Sequence, residues 1–516
     1  MQFFRWGLRL AAAGLTATLA TGCSAPAPTR TFPTLHTFPR AQVLADLGRF
    51  QQLKEAADAG LYKYHSKDQI DSAFAAVRTQ VTTPLTAVDV YRLIVGLTDF
   101  EGSLHNDILL PDSLTRRLHA AAAYFPYPLK QVAGQVVVNT SQAPLPLGAR
   151  LVSLNGLTAE RLVRELGKYY TTDGVNKTGK RVGFAADFPA YYCLEYGPQP
   201  IFRVRYVPLG AADTLQQTLS AVTYARYQQA FAARHSAASD QGFFEDSPVK
   251  YSFQLRPSQA LAILTLHTFD LGEEGTPGHR RYVRFLDSCF TRLRQSPAIT
   301  QLLVDIRPNG GGDDDNDMHT FAYLAHTPFR ENRGATIAFA RVPYRAWLTV
   351  DKDTAERGAV VAEMEQVVRE EFTKGADGRL HETARANPLF QPQPNRFRGQ
   401  LYVLLSERVA SAGSMFAAMV RGNTPAILIG EETMGGYYGH TGHQSLRYTL
   451  PATGITVQFS CVDLCQQVPR LPQQPPGRGV VPDYVIGQSV ADFLTNRDTQ
   501  FDFALTLMAR QRLAKP

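Results

Sequence analysis

The stretch Leu303-Val-Asp-Ile-Arg-Pro-Asn-Gly-Gly-Gly312 decides the fold class of this chain. It is an apolar run, typical of a buried strand, that ends in three consecutive glycines. A second stretch, Leu404-Leu-Ser-Glu-Arg-Val-Ala-Ser-Ala-Gly-Ser-Met-Phe416, predicts a strand, a short loop and a helix that opens near Ser411. Strands and helices alternate at this spacing from about residue 250, which predicts a parallel α/β core over residues 250–500.

The core is predicted from a small set of segments. The strands are expected at 260–266, 300–306, 400–405 and 426–429, and the helices at 280–293 and 411–421. An amphipathic segment at 358–374 predicts either a lid or a packing helix. Residues 501–516 are expected to form a C-terminal helix or tail.

Two regions with other sequence patterns precede the core. Residues 40–125 place apolar side chains at helical spacing over 41–59, 66–81 and 87–98, which predicts a helical N-terminal domain. Residues 126–249 contain β-like runs at 135–138, 149–154 and 201–207 and a helix at 159–168. The turn signal Asn155-Gly156 joins strand to helix in the order found in PDZ domains. Segment 209–247 is polar and is expected to be a helix with loops.

The N-terminus has the features of an export signal. Arg5 and Arg9 precede an apolar run from Leu10 to Ala20 that is too short to span a bilayer permanently. The sequence Thr21-Gly22-Cys23 is similar to the bacterial lipoprotein signal, in which the cysteine is lipidated; an ordinary signal peptide is the alternative. We therefore expect a signal peptide at 1–22 and a lipidated Cys23 that begins a proline-rich tether, 23–39.

Composition narrows the class of protein. The chain has 516 residues, 44% of them hydrophobic, which suits about three globular domains. Its formal charge of +7 is spread without a basic run, so no nucleic-acid partner is expected. Cysteines 193, 289, 461 and 465 are expected to be buried free thiols, although an exported location also permits disulfides. No spacing predicts a metal site.

Two loops can carry chemistry. Consecutive glycines turn backbone N–H groups toward an approaching atom, so the loop after Asp305 can hold a developing oxyanion. A serine at a helix start, such as Ser411, faces free N–H groups and the positive end of the helix dipole. Taken alone, each loop also has an ordinary explanation, because a glycine run can be a tight strand exit and serine is a common helix N-cap.

Four stretches in order resemble the S41 peptidases, the family of C-terminal processing and tricorn-type serine proteases. They are Asn309–Gly312, Ser411-Ala-Gly-Ser414, Ile429-Gly-Glu-Glu-Thr-Met-Gly-Gly436 and Gly477-Arg-Gly-Val-Val-Pro-Asp-Tyr484. The resemblance implies a ClpP/crotonase-like α/β core. It also implies a PDZ-like β segment, because 146–156 looks like a degenerate PDZ carboxylate loop.

The same resemblance implies which residues act. It makes Ser411, rather than Ser414, the nucleophile, with the N–H of Ala412 and of Gly310 or Gly311 as oxyanion donors. The lysine base of the processing proteases is absent, since Gly436 stands at its place, and so is the glutamate expected near the closing stretch.

The base is therefore open to three interpretations. His105 matches, in its context, the histidine of the tricorn-like branch, although Leu104 precedes it where that branch has a serine. His440, with His443 nearby, offers a second imidazole with a suitable pKa. The third interpretation is that no base works.

The sequence thus predicts an exported serine peptidase that needs no cofactor and acts on peptides or unfolded protein tails. We expect it in the cell envelope, as a membrane-anchored lipoprotein facing the periplasm. Two alternatives stay open: a non-catalytic relative that binds a peptide or ligand in the same cleft, and an esterase or amidase with the same machinery. The oligomeric state is not predicted.

Overall fold

The structure is a computed structural model that describes residues 32, 35–141, 144–235, 249–350 and 354–513. The predicted signal peptide 1–22 and Cys23 lie outside these residues, as does most of the tether 23–39. Among the helices in the described ranges, none is both long enough and apolar enough to cross a bilayer.

The N-terminal part of the described chain is mainly helical. Its helices are α1 (Arg40–Ala57), α2 (Lys67–Gln80), α3 (Ala87–Glu101) and α4 (Asp112–Ala120), and its short strands are β1 (Thr37–Phe38), β2 (Leu85–Thr86) and β3 (Asp107–Leu109). The three predicted helices are thus present. Helix α3 begins at a capping box between Thr86 and Asp89 and ends at Gly102, whose φ of +76° turns the chain out of the helix.

An antiparallel sheet follows. It has the order β4-β5-β6-β8-β9, with β7 paired to β6. Its strands are β4 (Leu129–Val132), β5 (Gln135–Val138), β6 (Arg150–Leu154), β7 (Leu157–Thr158), β8 (Ile201–Val207) and β9 (Leu215–Ser220), and its helices are α5 (Ala159–Leu166), α6 (Lys180–Tyr196) and α7 (Tyr224–His235). Strand β9 lies where a helix with loops was expected. It is an edge strand in which Leu219 is the one buried residue, so its sequence shows no apolar alternation.

The core sheet has the order β10-β11-β12-β16-β17-β20 and is parallel except for β10. Its strands are β10 (Tyr251–Arg256), β11 (Leu261–Leu266), β12 (Gln301–Asp305), β16 (Gln400–Leu405), β17 (Ile427–Gly430) and β20 (Tyr484–Val485), and its helices are α8 (Pro277–Arg294), α9 (Asp314–Ala322), α11 (Ser411–Asn423), α12 (Val490–Thr495) and α13 (Thr499–Leu513). Apolar side chains of α8, α9 and α11 bury one face, and those of α13 bury part of the other. The predicted α/β class is confirmed.

A third sheet was not predicted. Its order is β14-β15-β13-β19-β18, and β3 pairs with β19. The strands are β13 (Asn332–Ile337), β14 (Phe372–Lys374), β15 (Leu380–Glu382), β18 (Thr441–Thr449) and β19 (Thr456–Gln466), with helix α10 (Thr354–Glu371) before β14. This sheet shares one hydrophobic core with α1, α2, α3 and α10, so α10 packs rather than standing free as a lid. The antiparallel strands interrupt the alternation from which a purely parallel core was inferred.

The sheet order explains how two distant loops meet. Strands β12 and β16 are parallel neighbours, with Asp305 opposite Leu404. Their carboxyl ends therefore lie at the same end of the sheet. The glycine loop follows one strand and the loop to α11 follows the other. They contact directly, since the Ala410 N–H donates to the Asn309 carbonyl at 3.3 Å.

Candidate active site

Ser411 sits at a strained strand-to-helix turn. Helix α11 begins at this residue, and its neighbour Ala410 occupies the N-cap position without a side-chain cap. Ser411 therefore does not act as the N-cap. Its φ of +48° is a left-handed conformation that costs a non-glycine residue about 1–3 kcal/mol. Residues 412–420 of the helix are buried, so packing on all sides holds the turn in place.

Among the candidate bases, His105 is the one that the fold brings to Ser411. His105 Nε2 lies 3.1 Å from Ser411 Oγ, although 306 positions separate the residues in the chain. Ser414 is engaged elsewhere. Its buried hydroxyl donates to the Val409 carbonyl at 2.8 Å and accepts from the Gly435 N–H at 3.2 Å. Of the two serines in the Ser-Ala-Gly-Ser run, Ser411 is thus the one that contacts a histidine, and Ser414 bonds to backbone groups.

The second candidate base, His440, stacks on the ring of His105. The two ring centroids are 5.0 Å apart with 26° between the ring planes, and His440 is buried. Burial, with nearby His105, His443 and Lys63, holds the pKa of His440 well below its usual range. Two charged imidazoles at this distance would repel each other, so the lowered pKa of His440 makes it easier for His105 to carry a proton.

The glycine loop packs directly on the serine. Gly311 has a φ of +112°, and a Cβ at this position would lie 2.7 Å from the Cβ of Ser411. Its N–H donates to Asn309 Oδ1 at 2.9 Å. Within the described chain, the N–H groups of Gly310 and Ala412 donate to no other residue, and Gly310 is exposed. The Gly310 amide is therefore exposed beside the serine loop, whereas Ala412 lies at the buried start of α11.

We predict that Gly311→Ala and Gly310→Ala behave differently. A Cβ at Gly311 would clash with Ser411 at an unfavourable φ, so we expect a loss of about 1–3 kcal/mol in the free energy of unfolding and of about 100-fold in kcat. Gly310 lacks a positive φ, and a Cβ there would meet no atom within 4 Å. Thermal unfolding and peptide hydrolysis of both variants check this prediction, and equal effects would contradict it.

The sequence of this part of the chain has recognisable relatives. Residues 260–484 match the sequence model of peptidase family S41. The matched range contains the glycine loop, Ser411 and the turn at 433–436. Residues 260–484 are a peptidase family S41 domain. The chain is thus an enzyme, a serine-type peptidase.

Solved structures of CPAF share this architecture. A structure of mature CPAF complexed with lactacystin covers 92% of this chain and 98% of its own, with 13% identity and a TM-score of 0.58. Mature CPAF in a separate crystal structure covers 91% and 96%, with 13% identity and a TM-score of 0.57. The photosystem II D1 C-terminal processing protease covers 91% and 97%, with 15% identity and a TM-score of 0.39. At this identity the CPAF likeness shows the fold; no curated protein matches the chain.

In this S41 domain, backbone groups hold the turn where processing proteases carry their lysine. The Met434 N–H donates to the Val409 carbonyl at 2.8 Å, which fixes the turn against the Ser411 loop. The Gly436 N–H donates to Asp173 Oδ2 at 2.9 Å. The turn therefore keeps its place beside the serine without a charged side chain of its own.

Asp173 is a residue that the sequence did not reveal. Its other oxygen accepts the Leu104 N–H at 3.0 Å, so one buried carboxyl joins the His105 segment to the turn at Gly436. Burial raises the pKa of Asp173 to about 7. In the sequence it stands in Asp173-Gly174, which signals no more than a turn.

The cysteines and the possible metal ligands are the remaining candidate groups. Cys193, Cys289 and Cys461 are buried free thiols, whereas Cys465 is exposed and the expectation of a buried thiol there is wrong. In the described ranges, no three His, Cys, Asp or Glu side chains are grouped as a metal ion would require.

Proposed function

We propose that this chain is an exported peptidase in which Ser411 is the nucleophile and His105 the general base. The observation that carries the proposal is the 3.1 Å contact between His105 Nε2 and Ser411 Oγ. The amides of Gly310 and Ala412, which donate to no described residue, lie in the two loops that meet at this turn. A hydroxyl needs such a base to become nucleophilic at neutral pH.

The reaction follows from this geometry. Ser411 Oγ bonds to the substrate carbonyl carbon while His105 takes the hydroxyl proton, and the carbonyl oxygen becomes an oxyanion. His105 then gives the proton to the leaving amine as the peptide C–N bond breaks. His105 then takes a proton from water as the water oxygen bonds to the acyl carbon. It returns this proton to Ser411 Oγ as the ester C–O bond breaks, which releases the acid and restores Ser411.

The proposed oxyanion hole is formed by the N–H groups of Ala412 and Gly310. Preorganised amides aimed at the developing charge supply a large part of the catalysis in such sites. Gly310 is favoured over Gly311 because the N–H of Gly311 is already donated to Asn309.

The proposed substrate is a peptide or an unfolded protein tail. A cavity of about 710 Å³ lies between the antiparallel sheet and the edge of the core sheet. Among its lining residues are Lys130 and Val182 on one side and Pro308 and Arg408 on the other. Pro308 and Arg408 lie two and three positions before Gly310 and Ser411. We propose that the region 126–249 acts as a PDZ-like module whose edge strand pairs with an extended chain end.

We also propose that the protein is a lipoprotein held at the cell envelope by Cys23 and facing the periplasm. The support is the signal-like sequence that ends at this cysteine. Labelled palmitate is expected in the wild-type protein and not in Cys23→Ala, which should also leave the membrane fraction. A variant that stays membrane-bound would contradict the anchor.

The test of the enzymatic proposal is hydrolysis of a mixture of peptides by the purified chain, with products identified by mass spectrometry. We expect cleavage by the wild type and none by Ser411→Ala. Binding of peptides without cleavage by the wild type would instead support the non-catalytic alternative.

A further inference from the structure

The segment that carries His105 is fixed on both sides. Before His105, the Leu104 N–H donates to Asp173, and the hydroxyl of Thr171 donates to the Leu104 carbonyl at 2.9 Å. After it, the Asn106 carbonyl lies 3.3 Å from the same hydroxyl. Strand β3 then begins at Asp107 and pairs with β19. The backbone around the imidazole therefore has little freedom.

The side chain of Asn106 adds a second, deeper attachment. Its Oδ1 accepts from Lys54 Nζ at 3.0 Å, and its Nδ2 donates to Glu101 Oε1 at 3.0 Å. Lys54 lies in the last turn of α1, and Glu101 is the last residue of α3. Asn106 thus joins the His105 segment to the ends of two helices.

The Lys54 ammonium is fully satisfied in this cluster. Its three N–H groups have three acceptors, namely Asp58, Glu101 and Asn106. Lys54 is 0% exposed and Asn106 is 3% exposed. The ammonium also lies 4.4 Å from the ring centroid of Phe459. A buried ion pair adds less to stability than apolar packing of the same volume often does, so its value lies more in defining a geometry.

We propose that Asn106 is a positioning residue, held by Lys54 and Glu101, that keeps the neighbouring His105 within reach of Ser411. The inference rests on the proposed function, since it takes His105 to be the base. Consecutive Cα atoms are about 3.8 Å apart, so fixing Asn106 fixes the origin of the imidazole side chain. Asn106 itself touches no reacting atom.

The test compares three variants of the full chain. Asn106→Leu removes both hydrogen bonds, and we expect kcat to fall about 100-fold while KM changes less than about threefold. Asn106→Asp keeps an acceptor for Lys54 and can share a proton with Glu101. We therefore expect its kcat to be about tenfold higher than that of Asn106→Leu.

Asp46→Asn is the matched control. Asp46 is also buried and lies on α1, but its carboxylate accepts from Ala452 and Thr453, away from His105. We expect this variant to lose thermal stability and to keep kcat within about threefold. An equal fall of kcat in Asp46→Asn and Asn106→Leu would overturn the proposal, because destabilisation alone would then explain both.

A second readout does not depend on catalysis. The ring nitrogen signals of His105, identified by their absence in His105→Gln, can be followed by NMR in the wild type and in Asn106→Leu. We expect them to shift or broaden in the variant. Unchanged signals would overturn the positioning role whether or not any peptide is cleaved, whereas a wild type that cleaves no peptide would overturn the proposed function alone.

Discussion

Ser411→Ala is expected to lower kcat for peptide hydrolysis by about 10⁶-fold, the order of magnitude found when the nucleophile is removed from a serine protease. The variant should fold as the wild type does, because the half-buried hydroxyl is needed neither as a helix cap nor in the core. Burst kinetics and labelling by a fluorophosphonate probe measure the same group directly, and both should disappear.

Ser414→Ala is the matched control, three residues further along the same helix. Its buried hydroxyl bonds to Val409 and Gly435, so removing it is expected to cost about 1–3 kcal/mol of stability and to preserve probe labelling at Ser411. Loss of labelling in Ser414→Ala with retention in Ser411→Ala would show that the nucleophile has been assigned to the wrong serine.

His105→Gln is expected to lower kcat about 10⁵-fold, because glutamine can occupy a similar volume but cannot accept the serine proton. Labelling of Ser411 by the probe should slow by a comparable factor, since the hydroxyl is no longer activated. The measurement is a pair of rates, hydrolysis and labelling, in protein whose thermal unfolding matches that of the wild type.

His440→Gln separates the two candidate bases. His440 is buried and stacked on His105, and burial holds its pKa well below its usual range. We expect its replacement to reduce kcat less than tenfold. If His440→Gln abolished the labelling of Ser411 and His105→Gln did not, His440 would be the base.

Much of the fold could be predicted because its signals are local. The apolar strand before Gly310 and the strand-to-helix stretch around Ser411 each carry their pattern within about a dozen residues. Helices α2 and α3 have capping boxes of the same local kind, and α1 was predicted from its periodicity. Strand β9 and the sheet formed by β13, β18 and β19 were missed, since their strands depend on partners far away in the chain.

The α/β class and the order of four short motifs could be predicted from the sequence, and the S41 resemblance of those motifs predicted Ser411 rather than Ser414 as the nucleophile. The tertiary structure was needed to show that His105 contacts Ser411 and that the Gly311 N–H is already donated to Asn309. It was also needed to show the hydrogen bonds of Asp173 and Asn106. These features depend on contacts such as that between His105 and Ser411, across 306 positions. A local pattern records the preference of a segment for helix or strand, whereas such contacts arise only when packed sheets bring separate loops to one edge.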